Sequence, residues 1–356
     1  MTLSPVEQLT SRVYGDSFKL YDIEEFEKFL EPLKIRYQQN NIDPQVFKGK
    51  RCLDAGFGSG RGSIFMAQNG ASEVVGIDLS EKNVQTAQRW ASHYGYTNMK
   101  FYQGNLQALA FEDESFDIVW CNGVLHHSDD PNTGLDEISR VLKVGGYMWL
   151  YLYGSGGVYW NLVDVIRREL KHTDSMHCLA LLLAWQVPYG RVAEYIDDWY
   201  VPHCRRYTIA DLNEKLVGLG FDDPQCLTGG TPYDTSYKVH LQGQGDLFGE
   251  GDLRYFAQRT NNRLDRSIQL PDINEIGSAY QESAITLEFV EKFNHISQLI
   301  TRFASTYIPD HLFSAQVGGF RSMQMVLRDM MSEPNPFDVN KFNQHLDKIV
   351  TDLSLG

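Results

Sequence analysis

The ten residues LDAGFGSGRG, from Leu53 to Gly62, decide how the rest of the chain is read. They follow a short apolar run and precede a helix-like one, and Gly56, Gly58 and Gly60 alternate with larger residues. A turn this bare lets backbone approach a ligand where a Cβ would intervene. Two glycine patterns serve that purpose after the first strand of an open α/β sheet. Dinucleotide sites want G-x-G-x-x-G, whose last glycine packs the helix while its N-terminus faces a pyrophosphate. That register fails twice, because from Gly56 the last position is Arg61 and from Gly58 it is Ser63. An acid followed by G-x-G-x-G fits throughout, with Asp54 ahead of Gly56, Gly58 and Gly60.

Outward from this turn, residues 51–56, 73–80, 99–104, 116–122 and 147–154 read as strands, each apolar or β-favouring and closed by a turn or helix-capping residue. Residues 61–69, 80–94 and 132–143 read as helices. The last carries Leu135, Ile138 and Leu142 at helical steps and stops at Gly145-Gly146. Strands alternating with helices predict an α/β class, a doubly wound and mostly parallel sheet with its ligand at the carboxyl ends of the strands. A helix-like insertion occupies 155–206. Thr208 and Asp211 then form a capping-box pattern opening a helix to Gly220. Residues 223–229 and 252–259 supply the last two of seven strands. The expected organisation is an N-terminal helical lid (1–49), a ligand-binding domain (50–259) and a C-terminal helical region (260–356). In that last region Ile285, Phe289, Phe293, Ile296, Ile300 and Phe303 share one helix face, and residues 320–332 and 339–352 add two further helices.

Composition narrows the partners. The chain has 356 residues, 42% of them hydrophobic, so it can bury a sizeable core. A net charge of −14 argues against a nucleic-acid partner, whose phosphates are met by clustered Lys and Arg. Five scattered cysteines offer neither a CxxC pair nor a zinc spacing, so no metal is expected. The first residues lack the basic-then-apolar order of a signal peptide, and the most apolar run, CLALLLAW at 178–185, is too short to span a bilayer. A cytoplasmic protein is expected.

The acid-plus-three-glycine turn resembles the first motif of class I S-adenosylmethionine-dependent methyltransferases, which have a seven-stranded Rossmann-like fold. The likeness extends to VVGIDLS, QGNLQAL, FDIVWCNGVLHHSDDP and VLKVGGYMWL, covering 50–154 and more loosely 208–259. It implies S-adenosylmethionine as cofactor and S-adenosylhomocysteine as product. Asp54 is suited to the amino group, Asp78 to the ribose hydroxyls, and Asn105 to the adenine amine, where the family has an Asp. Phe57, Leu79, Leu106 and Asn122 complete the implied cofactor-binding set. The cofactor carries no phosphate, so its site need not be basic.

Methyl transfer is an in-line displacement for which the protein aligns the acceptor and excludes water. A hydroxyl or amine acceptor also needs a base. His126 matches the histidine that phosphoethanolamine methyltransferases of this family pair with an N-terminal tyrosine, and His127 is the second candidate. Tyr14 and Tyr21 are the tyrosine candidates; each of these four side chains also has an alternative reading as core. Acceptor contacts are expected from the insertion and its exit, including Trp185, Trp199, Tyr200, His203, Arg205 and Arg206. The arginines either bind an acceptor anion or pair with Asp197 and Asp198.

Neither an NPPY-type motif nor a Pro-Cys nucleophile follows the fourth strand, which disfavours adenine, glutamine and cytosine acceptors. The leading expectation is methylation of oxygen or nitrogen, with carbon behind them, on a small molecule such as a sugar or secondary metabolite. The alternative is a non-catalytic cofactor-binding subunit assembling through its C-terminal helices. A homo-oligomer through those helices is a further expectation, and a nicotinamide-dependent reductase is disfavoured by the failed glycine register.

Overall fold

The structure, a computed structural model, describes residues 3–18, 21–170, 173–184 and 189–272. Among them, 3–158 and 203–272 make one compact unit and 159–202 a second. The expected C-terminal helices and Trp185 lie outside the described residues.

Helices α1 (Pro5–Phe18) and α2 (Ile23–Gln39) precede the sheet. Strand β1 (Arg51–Ala55) is followed by α3 (Arg61–Gln68), β2 (Glu73–Asp78), α4 (Glu81–His93), β3 (Met99–Gln103) and β4 (Phe116–Asn122). Then come α5 (Pro131–Val141) and β5 (Leu142–Tyr153). After the second unit, α9 (Ile209–Gly218), α10 (Thr235–Gln242) and β6 (Asp252–Gln258) return to the first. The order is β3-β2-β1-β4-β5-β6, all parallel except β6, which runs antiparallel to β5. The order reverses between β1 and β4, which opens a crevice at their carboxyl ends.

The sheet has six strands among the described residues, not the seven expected. Residues 221–227 run beside β6 but touch it only through isolated bridges, Phe221 to Arg259 and Cys226 to Tyr255. Asp223 between them has φ +47°, and Pro224 has no N–H to donate, so the ladder breaks there. Helix α5 also ends earlier than its periodicity indicates. Leu142 instead pairs with Phe116, and its carbonyl accepts from the buried Arg259 at 2.5 Å. The capping box expected at Thr208 and Asp211 is formed in both directions.

Each face of the sheet buries its own cluster. Leu53, Val75, Val119 and Leu150 pack with α5 and α9 residues such as Leu135, Ile138, Leu212 and Leu216. On the other face Cys52, Val74, Ile118, Trp120 and Trp149 meet Leu33 and Tyr37 of α2 and Phe65 of α3. Trp120 and Trp149 stack with centroids 4.8 Å apart, and Tyr37 stacks on Trp149 at 5.2 Å.

In the second unit, α6 (Val158–Glu169), α7 (Ser175–Ala184) and α8 (Tyr189–Tyr200) bury Val163, Ile166, Leu179, Leu182, Val192 and Ile196. Its buried Arg167 donates to the carbonyls of Asp198 and Val201, satisfying the end of α8. No described helix is long and apolar enough to cross a membrane.

Trp149 also holds the crevice floor, since its Nε1 donates to Asn122 Oδ1 at 2.9 Å. Replacing Trp149 by Ala removes the stack and leaves a cavity, so a loss of about 3–5 kcal/mol is expected in urea-unfolding midpoints.

Candidate functional site

The crevice is roofed by α1 and lined by the residues that leave β1, β2, β3 and β4. Its cavity volume is about 120 Å³, and the crevice opens in part to solvent. Gly56, Phe57, Gly58, Asp78, Leu79, Asn105, Leu106 and Asn122 of the expected cofactor set all line it.

Two glycines shape the turn. Gly56 (φ +77°) and Gly58 (φ +54°) hold left-handed backbone that L-residues avoid. A Cβ on Gly56 would meet the Val124 methyls at 2.5 Å, and one on Gly58 the Phe18 ring at 2.7 Å. The first obstacle to a side chain here is thus the protein's own lid and β4 loop. Gly60 caps α3 and is set back from the lining.

Asp78 organises the centre. Its Oδ2 accepts from Gly58 N–H (2.9 Å), and its Oδ1 from Ser80 N–H (2.8 Å) and Asn83 Nδ2 (3.0 Å). Burial raises its pKa above the ordinary carboxylate range, against the pull of those bonds. Asn83, on the first turn of α4, lines the cavity, and its Oδ1 has no hydrogen-bond partner among the described residues. Thr10 Oγ1 on the lid is likewise unpartnered there. Orphaned buried polar atoms cost free energy, so acceptors at Asp78 and Asn83 suit a vicinal diol.

Asp54 lies behind the lining, 2% exposed, with Oδ2 accepting from Ser63 Oγ at 2.6 Å. Burial pushes its pKa up to about 7, and Asp78 adds to the rise. Asn105 departs from the family's Asp, and α1 explains the departure. Its Nδ2 donates to Glu7 Oε1 at 2.5 Å, and its Oδ1 accepts from Gln107 N–H at 2.9 Å.

The histidines separate. His126 is fully buried and outside the cavity lining, its ring tilted against that of Tyr153 with centroids 3.9 Å apart. Neither ring nitrogen has a partner among the described residues, and burial drives its pKa well below the usual value. Expected as a candidate base, it lies outside the cavity lining. His127 does line the cavity, and its Nδ1 lies 2.7 Å from the His203 carbonyl. A carbonyl only accepts, so Nδ1 carries a proton, and in the tautomer this selects Nε2 bears the lone pair. Tyr14 lines the cavity with its ring 5.8 Å from that of His127. Tyr21 is 5% exposed, packs on Phe29 at 4.6 Å and is not in the lining.

The acceptor residues read from sequence take other parts. Trp199 and Tyr200 are 2% and 1% exposed in the second unit, Trp199 stacked on Tyr195 and Tyr200 OH bonded to Thr173 Oγ1. Their apolar area is spent on that core. His203 Nε2 reaches Asp129 Oδ1 at 3.1 Å. Arg205 donates to the Ser128 and Asp129 carbonyls and to Asp272, so it staples the loop after β4. Arg206 Nη2 contacts Cys204 Sγ at 3.9 Å. Among the lining residues that sequence reading missed are Thr10, Ser11, Phe18, Arg61, Asn83 and Val124. Arg61 and Asn83 had a signal, each following a recognised motif on the first turn of its helix.

A glycine turn, a buried acid on β2 and a crevice at the β1/β4 reversal define a Rossmann-like methyltransferase domain. The family described as "Methyltransferase domain" matches residues 53–150. The ubiquinone biosynthesis O-methyltransferase of Pseudomonas fluorescens (strain Pf0-1) is 35% identical over 205 residues, 53% of this chain and 85% of that one. The methyltransferase YcgJ of Bacillus subtilis is 35% identical over 96 residues, 27% of this chain and 38% of that one. Its solved structure aligns at 18% identity and a TM-score of 0.36, covering 59% of this chain and 89% of that one. The chain spans 38–51% of the length of YcgJ and three other curated relatives. The chain belongs to the class I S-adenosylmethionine-dependent methyltransferase family. Its cofactor is S-adenosylmethionine.

Two outcomes follow from the acids. A native carboxyl with a pKa of about 7 holds a proton that the unfolded chain releases near pH 4, so its contribution to stability falls as pH rises between about 4 and about 7. The melting temperature should drop across that window, less steeply in Asp54→Asn; equal slopes would mean that native Asp54 is ionised. Asn105→Asp sets a second carboxylate against Glu7, so amide exchange over residues 5–11 should speed up at neutral pH. Adding Glu7→Gln should restore it.

Proposed function

We propose that this protein transfers the methyl group of S-adenosylmethionine to an oxygen or nitrogen of a small-molecule acceptor, with His127 as the base. The observation that carries this reading is the His127–Tyr14 pair on the cavity wall, with the Nδ1 proton committed to the His203 carbonyl. The cofactor supplies a methyl group already activated on a sulfonium. Asp78 and Asn83 accept from its ribose, while Leu79, Leu106 and Asn105 border its adenine. The Gly56–Gly58 backbone and Asn122 meet the remainder, with Asp54 behind them toward the amino group. His127 Nε2 takes the acceptor's proton, and the Tyr14 ring presents its face beside it, an attraction for a cation of order 0.5–2 kcal/mol. Helix α1, with Phe18, roofs the crevice.

An acceptor with a hydroxyl is favoured. A base is needed only for a group that must lose a proton, and the relative matched over 85% of its length is named for O-methylation. The lining is largely apolar, with Phe18, Phe57, Leu79, Leu106 and Val124, which suits an acceptor held mainly by shape.

The test is S-adenosylhomocysteine formation from purified protein with a panel of phenolic, sugar and amine acceptors. His127→Ala should lower kcat/KM by ~10²–10⁴-fold at neutral pH with unchanged cofactor affinity by calorimetry. His126→Phe should stay within a few-fold of the parent. Normal turnover by His127→Ala would put the base elsewhere. Cofactor binding without turnover on any acceptor, alone or with cell extract, would favour a non-catalytic subunit.

A further inference from the structure

The hydroxyl of Ser4 caps α1. Glu7 N–H donates to Ser4 Oγ at 3.1 Å, and Ser4 N–H returns a bond to Glu7 Oε2 at 2.7 Å. Capping uses a lone pair of the hydroxyl and leaves its one proton to go elsewhere. That proton leaves the helix, since Ser4 Oγ donates to Asp129 Oδ2 at 2.8 Å in the loop after β4. The other oxygen, Asp129 Oδ1, meets His203 Nε2 at 3.1 Å. The His203 carbonyl in turn lies 2.7 Å from Nδ1 of His127 on the crevice wall. One carboxylate thus stands between the roof of the crevice and the residue whose carbonyl faces His127.

The loop has other bonds for its own shape. Arg205 N–H donates to the His126 carbonyl at 3.1 Å, and its guanidinium to the carbonyls of Ser128 at 2.5 Å and Asp129 at 3.2 Å. Ser128 Oγ closes on the Leu125 carbonyl at 2.7 Å. All of these bonds hold backbone, and none of them uses the Asp129 carboxylate. Nor does the Asp129–His203 pair supply much stability, since side chains 31% and 13% exposed make a pair worth about 0–1 kcal/mol. What the pair fixes is geometry, because a ring tethered at Nε2 restrains the residue that presents its carbonyl to His127. An imidazole with its proton on Nδ1 offers a lone pair at Nε2, and the other tautomer offers an N–H there. A carbonyl held opposite Nδ1 selects the first form; a carbonyl that swings away selects neither.

We infer that Asp129 is a positioning residue for His127, acting through His203, and that the Ser4 hydroxyl makes this positioning depend on α1 being seated. The inference rests on the reading of His127 as the base. The same first turn of α1 holds Asn105 through Glu7 Oε1 at 2.5 Å. Seating the roof at the β3 end of the crevice and orienting the base at its β4 end are therefore one event. With α1 raised, Asp129 loses one of its two donors, His203 loses a fixed acceptor, and the two tautomers of His127 mix.

The experiment is long-range proton–nitrogen NMR on the full chain carrying nitrogen-15 histidine, read well above ~6.5, the ordinary histidine pKa. It tells Nδ1–H from Nε2–H directly and needs no acceptor. The His127 signals are those absent from His127→Ala. Wild type should show the Nδ1–H form, and an Nε2–H form there would overturn the inference. Asp129→Asn offers one acceptor oxygen in place of two and should show a mixture. Its kcat should fall roughly 10-fold with cofactor affinity by calorimetry unchanged. Ser4→Gly keeps most of the cap's stability but has no hydroxyl, so a smaller shift in the same direction is expected. The double variant should be no slower than Asp129→Asn alone, because both changes act through one carboxylate. If His127 kept the Nδ1–H form in Asp129→Asn, the inference would fail whatever the turnover. An unshifted Ser4→Gly, or losses that add in the double variant, would remove the dependence on α1. A shifted tautomer with turnover intact would leave Asp129 as the positioning residue and remove His127 as base, a failure of the earlier reading alone. Should Asp129→Asn not fold, His203→Phe removes the same ring contact, keeps the carbonyl and carries the same comparison.

Discussion

The carboxylate of Asp78 is where three parts of the fold are tied. It closes β2, receives the Gly58 N–H of the turn after β1, and receives Ser80 N–H and Asn83 Nδ2 at the start of α4. Desolvation opposes its charge, and three donors favour it. The turn holds its left-handed backbone because one of its N–H groups ends on this acid. Phe18 lies against Gly58, so the aromatic part of the lid is seated on a conformation that Asp78 maintains. Removing the carboxylate would leave Gly58 N–H and Asn83 Nδ2 without their acceptor, a larger loss than one ribose contact.

The lid is built into the same scheme at every strand end it crosses. Glu7 reaches Asn105 after β3, Phe18 covers Gly58 after β1, Tyr14 meets His127 after β4, and Ser4 Oγ donates to Asp129 Oδ2 at 2.8 Å. Asp129 in turn meets His203, whose carbonyl orients His127. The start of helix α1 is therefore linked through three polar steps to the group proposed as base. Asn105 makes sense in that setting. An Asp would face Glu7 as like charge, whereas the amide donates to it and draws the lid onto the sheet.

Local pattern made the fold readable in the sequence as far as β5, because buried parallel strands are short apolar runs bounded by turn residues. It failed at residues 223–229, where Asp223 and Pro224 interrupt a run that its composition marks as strand. The cofactor side of the site was legible since its residues follow the strand ends in fixed order. The acceptor side was not. Whether His126 or His127 faces the cavity depends on one residue of phase in a single turn of 3₁₀ helix, Leu125–His127. Arg205 carries the same charge whether it greets a ligand or holds two carbonyls, and only the fold distinguishes the two. Trp199 and Tyr200 illustrate the general difficulty, as an aromatic cluster reads alike in a binding wall and in a helical core.

Arg61 is the residue that broke the dinucleotide reading, and the break has a physical sense. In G-x-G-x-x-G the third glycine lets helix and strand pack closely while the helix N-terminus alone meets a doubly charged pyrophosphate. Here the position holds a cation one residue after Gly60, and close packing is moved to Gly62, where a Cβ would lie 2.8 Å from Trp120 Nε1 and 3.0 Å from Asp54 Oδ2. Asp54 closes β1 and Arg61 opens α3, seven positions apart on the two arms of one turn. The glycines leave room between them, so the stretch that decides the fold also shapes the crevice at the ends of β1 and β4.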